Sequence, residues 1–276
     1  MDKPLILDQE LSQEGFSLWQ EFMVHHSGVL IPAEKSYLFQ NRLRPLLRRY
    51  HCDSFETLYE RAQAPDATDL VGAVIEAMTT HETSFFRDPW AFEALTEELE
   101  RLYRLGKREV SIWSAACSTG EEPYSIAMVV YEFCRKRPSM KCTILASDIA
   151  DDTLAKARKA EYFRLGSYLP EDYAGRFFLR ADRRMTLREE IRGMVDFEHF
   201  NLLDIRKRGK VFDIIFCRNV ALYFPNDIRL PFFQDLANCL PAGGMLLVGS
   251  SESMYRATAR YERARHGNHF YYRRAR

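Results

Sequence analysis

The stretch Val110-Ser-Ile-Trp-Ser-Ala-Ala-Cys-Ser-Thr-Gly120-Glu-Glu-Pro-Tyr-Ser-Ile-Ala-Met128 limits what this chain can fold into more than any other. Val110 to Trp113 is a short apolar run of the kind that forms a parallel strand buried on both faces. Ala115, Ala116, Ser118 and Gly120 then carry almost no side chain, and Pro123 suits the first turn of a helix. The reading is strand, tight turn, helix, with a turn that a ligand could approach closely enough to meet the N–H groups opening the helix. A single glycine is no dinucleotide fingerprint, and a plain strand-to-helix turn explains it equally well.

The next segment shifts that balance. The helix from Glu122 to about Arg137 leads into Cys142-Thr-Ile-Leu-Ala-Ser-Asp148, a second buried strand that ends in an acid. Asp148 lies where α/β nucleotide folds set a carboxylate on ribose hydroxyls. The alternative is that Asp148 or Asp151 caps the following helix, Thr153 to Lys159. Both halves of a nucleotide site at βαβ spacing favour the ribose role.

With those residues in view, Ala115 to Ser125 resembles the nucleotide motif of the chemotaxis receptor glutamate methyltransferases, the CheR family. Three further segments resemble that family in the same order. They are Met78-Thr-Thr-His-Glu-Thr-Ser-Phe-Phe-Arg87, Phe212-Asp-Ile-Ile-Phe-Cys-Arg-Asn-Val220 with Tyr223-Phe224, and Pro241-Ala-Gly-Gly-Met-Leu-Leu-Val-Gly-Ser-Ser-Glu252. The resemblance runs from about residue 10 to the last residues. It implies an α/β fold: a seven-stranded Rossmann-like methyltransferase sheet with an N-terminal all-helical domain, residues 1–88. Residues 89–276 would form the S-adenosylmethionine-dependent methyltransferase domain, with a small antiparallel β-subdomain inserted at about 161–193.

Composition sets outer limits. A chain of 276 residues with 46% hydrophobic content can bury a large core. Its 39 basic and 39 acidic side chains cancel, which argues against bulk electrostatic binding to nucleic acid. The opening Met-Asp-Lys-Pro-Leu-Ile-Leu-Asp lacks a basic region followed by a long apolar one, and no stretch reaches membrane-spanning length, so a cytoplasmic protein that is not membrane-embedded is expected. Six scattered cysteines without a C-x-x-C pair read as reduced core residues, and the seven histidines show no zinc spacing, so no metal is expected. With no coiled-coil seam, a monomer is expected.

The first hundred residues carry helical signals only. Phe16, Trp19, Phe22 and Met23 share a face that Gly28 terminates, and Pro32 opens a helix with apolar face Phe39, Leu43, Leu46, Leu47 and Tyr50. Lys35, Arg42 and Arg49 recur every seven residues beside that face, and Pro45 should kink or break the helix. A solvated face and a docking surface for an acidic partner are both open from charge patterning. The resemblance implies docking, to the glutamate-rich helical bundle of a chemoreceptor's cytoplasmic part. Asp53-x-x-Glu56 reads as a capping box, Leu70 to Met78 as a helix, and Asp88-Pro89 as the cap and first turn of a long helix ending near Gly106.

The site residues follow from the resemblance. It implies that His81, where the family most often has Asn, acts with Thr83 and Arg87 on S-adenosyl-L-methionine or the substrate carboxylate. Glu121, favoured over Glu122 because it directly follows the glycine turn, would hold the cofactor's amino group. Asp148 would hold the ribose, and Asn201 with Leu202 would lie near the adenine. Arg218 and Asn219, at the carboxyl end of the strand Val211 to Cys217, would meet the methionine end and the reacting centre, with Arg87 and Arg218 aiming the carboxylate. Tyr223 closes the site or packs. The insertion's Leu179 to Thr186 loop is short and has no glycine, which implies independence of a receptor's C-terminal tail peptide. Tyr261 to Arg265 and His269 to Arg273 read as a closing hairpin around Gly267-Asn268.

The implied chemistry is methyl transfer to a receptor Glu, giving a glutamate methyl ester and S-adenosyl-L-homocysteine. The rivals are a nicotinamide enzyme, for which the full G-x-G-x-x-G is missing, and a non-catalytic S-adenosylmethionine-binding scaffold of a signalling array.

Overall fold

The computed structural model describes residues 10–252, 254 and 258–276; the opening octapeptide read above lies outside them. Four helices come first: α1 (Gln13–Ser27), α2 (Tyr37–Arg49), α3 (Phe55–Ala62) and α4 (Thr68–Met78). Ser12 caps α1 by accepting the Gly15 N–H, and Gly28 ends it in the left-handed region at φ +74°. Trp19, Met23, Phe39, Leu43, Phe55, Leu58 and Val74 close a core of their own between these helices.

Two local expectations need correction. Pro45 sits inside α2, which continues unbroken to Arg49. Asn41, whose carbonyl loses its partner, is exposed beside Pro45, so water can take the missing bond. The cap of α3 is Ser54, whose hydroxyl accepts from Thr57 N–H at 3.0 Å, one residue after the expected Asp53.

Helix α5 (Trp90–Arg104) leads into the α/β domain, where β1 (Glu109–Ala115), α6 (Glu121–Lys136), β2 (Lys141–Asp148) and α7 (Asp151–Lys159) form the anticipated unit. The insertion follows as β3 (Glu161–Tyr162), α8 (Tyr173–Phe177), β4 (Phe178–Ala181), β5 (Arg184–Leu187) and α9 (Glu189–Arg192). Its three strands form a separate antiparallel sheet in the order β3-β5-β4. The chain then returns through β6 (Val195–His199), β7 (Ile214–Cys217), α10 (Asn226–Leu236) and β8 (Met245–Leu247) to the hairpin β9 (Tyr261–His266) and β10 (His269–Arg274).

The main sheet has seven strands in the order β6-β2-β1-β7-β8-β10-β9, parallel except where β10 runs against both neighbours. Alternation along the central strands explains its two-sided core. Val110, Ile112, Ile214 and Phe216 face the layer holding α5 and α6, while Trp113, Ala115, Ile215 and Cys217 face the layer holding α10. The ladder of β7 begins at Ile214, later than expected, and Val211 is exposed.

The helical domain is seated on the sheet's carboxyl edge by bonds between polar groups. Glu76 accepts from the Thr153 hydroxyl at 2.6 Å and the Leu30 N–H donates to the Tyr223 carbonyl at 2.9 Å, while within the helical domain Arg42 ties α2 to the end of α4 through the carbonyls of Met78 and Thr79 at 2.9 and 3.2 Å. Among the described residues no helix is long and apolar enough to cross a membrane.

Candidate functional site

At the carboxyl ends of β1, β2, β6 and β7, under the helical domain, lies a cavity of about 360 Å³, within the range of small-molecule sites. This is where open α/β sheets place ligands. Its floor is the turn after β1. Ala116 (φ +61°), Ser118 (φ +51°) and Gly120 (φ +96°) all adopt the left-handed region, so the backbone folds back sharply and the Cys117 N–H reaches the Ser147 carbonyl at 2.9 Å. Gly120 serves packing as well as conformation. A Cβ there would fall 3.0 Å from that of Ala157 and 3.1 Å from Tyr124 and the Tyr162 hydroxyl, so the glycine admits α7 and Tyr162 rather than a ligand.

Asp148 ends β2 in this cavity. Its Oδ2 accepts the Ser118 N–H at 2.8 Å and its Oδ1 the Ala150 N–H at 3.1 Å. Burial raises its carboxyl above the ordinary aspartate range, against the pull of those two bonds. No Lys, Arg or His of the described residues forms an ion pair with it; two backbone donors leave acceptor positions open on both oxygens. A carboxylate so placed suits a neutral pair of hydroxyls, as on a ribose.

His81, Thr83, Arg87, Asn201, Leu202, Arg218 and Asn219 also line the cavity. Glu121 does not. Its carboxylate turns to the Thr119 hydroxyl at 2.6 Å, and burial raises its carboxyl above the usual value. Glu122 lines the cavity instead, because successive helix positions point about 100° apart. It accepts from the Ser114 hydroxyl at 2.7 Å and from Arg218 at 2.9 Å.

Arg218 is built into the protein. Its guanidinium donates to Glu122, to Asp88 at 2.5 Å and to the Arg87 carbonyl at 2.8 Å, with the side chain 2% exposed. The Nε has no partner among the described residues. Asp88 therefore does not cap α5; its carboxylate is drawn to Arg218 from a backbone at φ +58°. Arg87 is freer, with one bond to the Glu82 carbonyl at 3.0 Å. His81 is held through its Nε2, 3.1 Å from both the Thr79 hydroxyl and the Glu76 carbonyl, and its own carbonyl accepts from Ser118. The Asn201 side chain spans to the His26 carbonyl at 2.8 Å and accepts the Leu203 N–H, so it braces the helical domain.

Sequence reasoning missed the roof. Val29, Leu30, Ile31, Pro32, Lys35 and Arg42 line the cavity from the helical domain. The signal was available in the apolar run Val29-Leu-Ile-Pro, which follows the stop at Gly28.

Fold and cavity together define a Rossmann-like methyltransferase with an α-helical domain over its binding edge. Residues 14–79 match the CheR methyltransferase all-alpha domain, and residues 81–269 match the CheR methyltransferase SAM binding domain. A chemotaxis protein methyltransferase of Vibrio parahaemolyticus is 35% identical over 260 residues, 92% of this chain and 94% of that one. Chemotaxis protein methyltransferase 1 of Vibrio cholerae is similar to the same extent, and that of Pseudomonas aeruginosa is 32% identical over 90% of this chain and 93% of its own length. The chain belongs to the CheR methyltransferase family, and its cofactor is S-adenosylmethionine. The donor set fits that cofactor: Asp148 offers acceptors to a diol, Glu122 a carboxylate to a cationic group, and the cavity floor is backbone.

Proposed function

We propose that this protein methylates glutamate side chains on the cytoplasmic helical bundle of a chemoreceptor, for sensory adaptation. The observation that carries the reading is one cavity with two kinds of wall. Asp148 and the β1 turn form a nucleotide-type rim, while the basic helix α2, which carries four arginines and no acid, roofs the cavity with Arg42 and the neighbouring Lys35 where an acidic partner would arrive. When bound, S-adenosylmethionine supplies a methyl group on a sulfonium, an electrophile toward carboxylate oxygen.

The residues of the chain have a limited task. A Glu side chain titrates near about 4.3 and is ionised at neutral pH, so no general base is called for. The site must strip water from that carboxylate and point one oxygen. Arg87, with most of its donors uncommitted, orients the oxygen; Arg218, with three of five donors taken, fixes Glu122 and the start of α5. Asp148 holds the ribose, Glu122 the amino group, and Asn201-Leu202 the adenine end. Lys35, Arg48 and Arg49 are exposed on or beside α2 and face the receptor's acidic helices.

The β4–β5 hairpin turns through Asp182-Arg183 alone, without glycine, which supports a mode of receptor binding independent of a tail peptide. A cytoplasmic monomer completes the reading. The test is transfer of labelled methyl from S-adenosylmethionine to receptor cytoplasmic fragments, followed by mild alkali. Label released as methanol supports the carboxyl ester; cofactor binding without transfer to any receptor fragment refutes it in favour of a scaffold.

A further inference from the structure

One carboxylate outside the residues considered so far gathers an unusual set of partners. Glu252 Oε2 accepts the N–H of Gly249 at 2.6 Å and of Asn219 at 2.7 Å, and Oε1 accepts those of Val220 and Leu222, each at 3.1 Å. An ionised carboxylate is an acceptor only, with about four lone-pair sites, so all four amides are matched. A glutamine of the same size would present an NH2 group to two of them. The bonds hold the loop after β7 in a conformation that includes Asn219 at φ +59°. There is no slack in it, because a Cβ on Gly249 would lie 2.7 Å from the Asn219 side-chain Nδ2, 2.8 Å from Glu252 Oε2 and 3.0 Å from the Asn219 backbone nitrogen.

That loop is a wall of the cavity. Asn219, Val220 and Tyr223 line it, and the Tyr223 carbonyl takes the Leu30 N–H of the helical domain. Strand β1 separates it from β2, so it stands on the rim opposite Asp148. Resting on the acceptor end assigned above, we infer that Glu252 is a positioning residue. Its charged carboxylate sets the wall against which the acceptor is aligned, without touching the cofactor's ribose side. Removing it misplaces the acceptor and leaves the cofactor grip in place.

The test uses the full chain with Glu252→Gln, and Glu252→Ala as a second variant, each studied below its own melting transition. Amide resonances of Gly249, Asn219, Val220 and Leu222 should move upfield in both variants as the bonds to a charged acceptor are lost. The calorimetric dissociation constant for S-adenosylhomocysteine should stay within about threefold of wild type, while kcat falls by about tenfold or more. An unchanged kcat in Glu252→Gln overturns the inference, as does a loss of kcat that only parallels a loss of binding-competent protein. Should the wild type transfer no methyl group, the function proposed above fails; unmoved amide resonances sink the Glu252 assignment independently.

Discussion

Two strand ends, one β-strand apart on either side of β1, carry the charged residues of this site, and they are used in opposite ways. Asp148 at the end of β2 takes two backbone N–H groups and keeps acceptors open toward the cavity. Arg218 at the end of β7 spends three donors on the protein, between Glu122, Asp88 and the Arg87 carbonyl. A charge at a strand's carboxyl end is thus not by itself a ligand contact. Which groups already satisfy it decides whether it faces the substrate or builds the wall.

Breaking the Arg218 rim should have the largest effect. Arg218→Met leaves Glu122 and Asp88 without their cation in a site only 2% exposed on the arginine side, and loss of one partner of such a pair costs about 3–5 kcal/mol. Thermal unfolding should shift down by roughly 10 °C. A variant that melts like wild type would place Arg218 among the ligand contacts instead.

The comparison sharpens at the two adjacent glutamates. Glu122→Gln should lower kcat/KM by about tenfold through one lost charge-assisted bond in the cavity, whereas Glu121→Gln, bonded to Thr119 away from it, should stay within about twofold. Steady-state kinetics on the pair decides it, and equal losses would contradict the assignment. On the outer face, Arg48→Glu with Arg49→Glu should weaken receptor methylation several-fold at low salt and leave S-adenosylhomocysteine binding unchanged. Arg42 is the wrong residue for that experiment, because its guanidinium holds the end of α4.

The smallest effect is in pH. Burial raises the Asp148 carboxyl, so the ligand-free protein gains stability as pH falls through that raised value and the disfavoured charge is lost. With Asp148 holding the ribose as proposed, cofactor binding should weaken over the same interval, beginning above the range of an ordinary aspartate. Titrations from neutral pH down into the ordinary aspartate range check the sign; affinity independent of pH throughout would remove Asp148 from the binding rim.

Much of this was legible in the sequence where the determinants are local. An apolar run, small residues and a helix start fix the β1 turn within 20 residues, and the spacing to Asp148 carries the second half of the rim. Glu121 was misjudged because adjacency along a helix says nothing of rotation about its axis. Pro45 was misjudged because its unpaired carbonyl partner faces water. Glu252 and the Val29–Pro32 roof were hidden for another reason: three of the four partners of Glu252 lie 30 or more residues away, and the partners are backbone amides or a cavity, which leave no side-chain pattern to read.

Calorimetric titration of S-adenosylhomocysteine into wild type and Asp148→Asn tests the account at its centre. The substituted amide can still accept one backbone N–H but lacks the charge, and loss of charge-assisted bonds to a ribose diol should weaken binding by roughly 10- to 100-fold with little change in melting temperature. Equal affinity in the two proteins would mean that the cavity above the β1 turn is not where the cofactor's ribose is held.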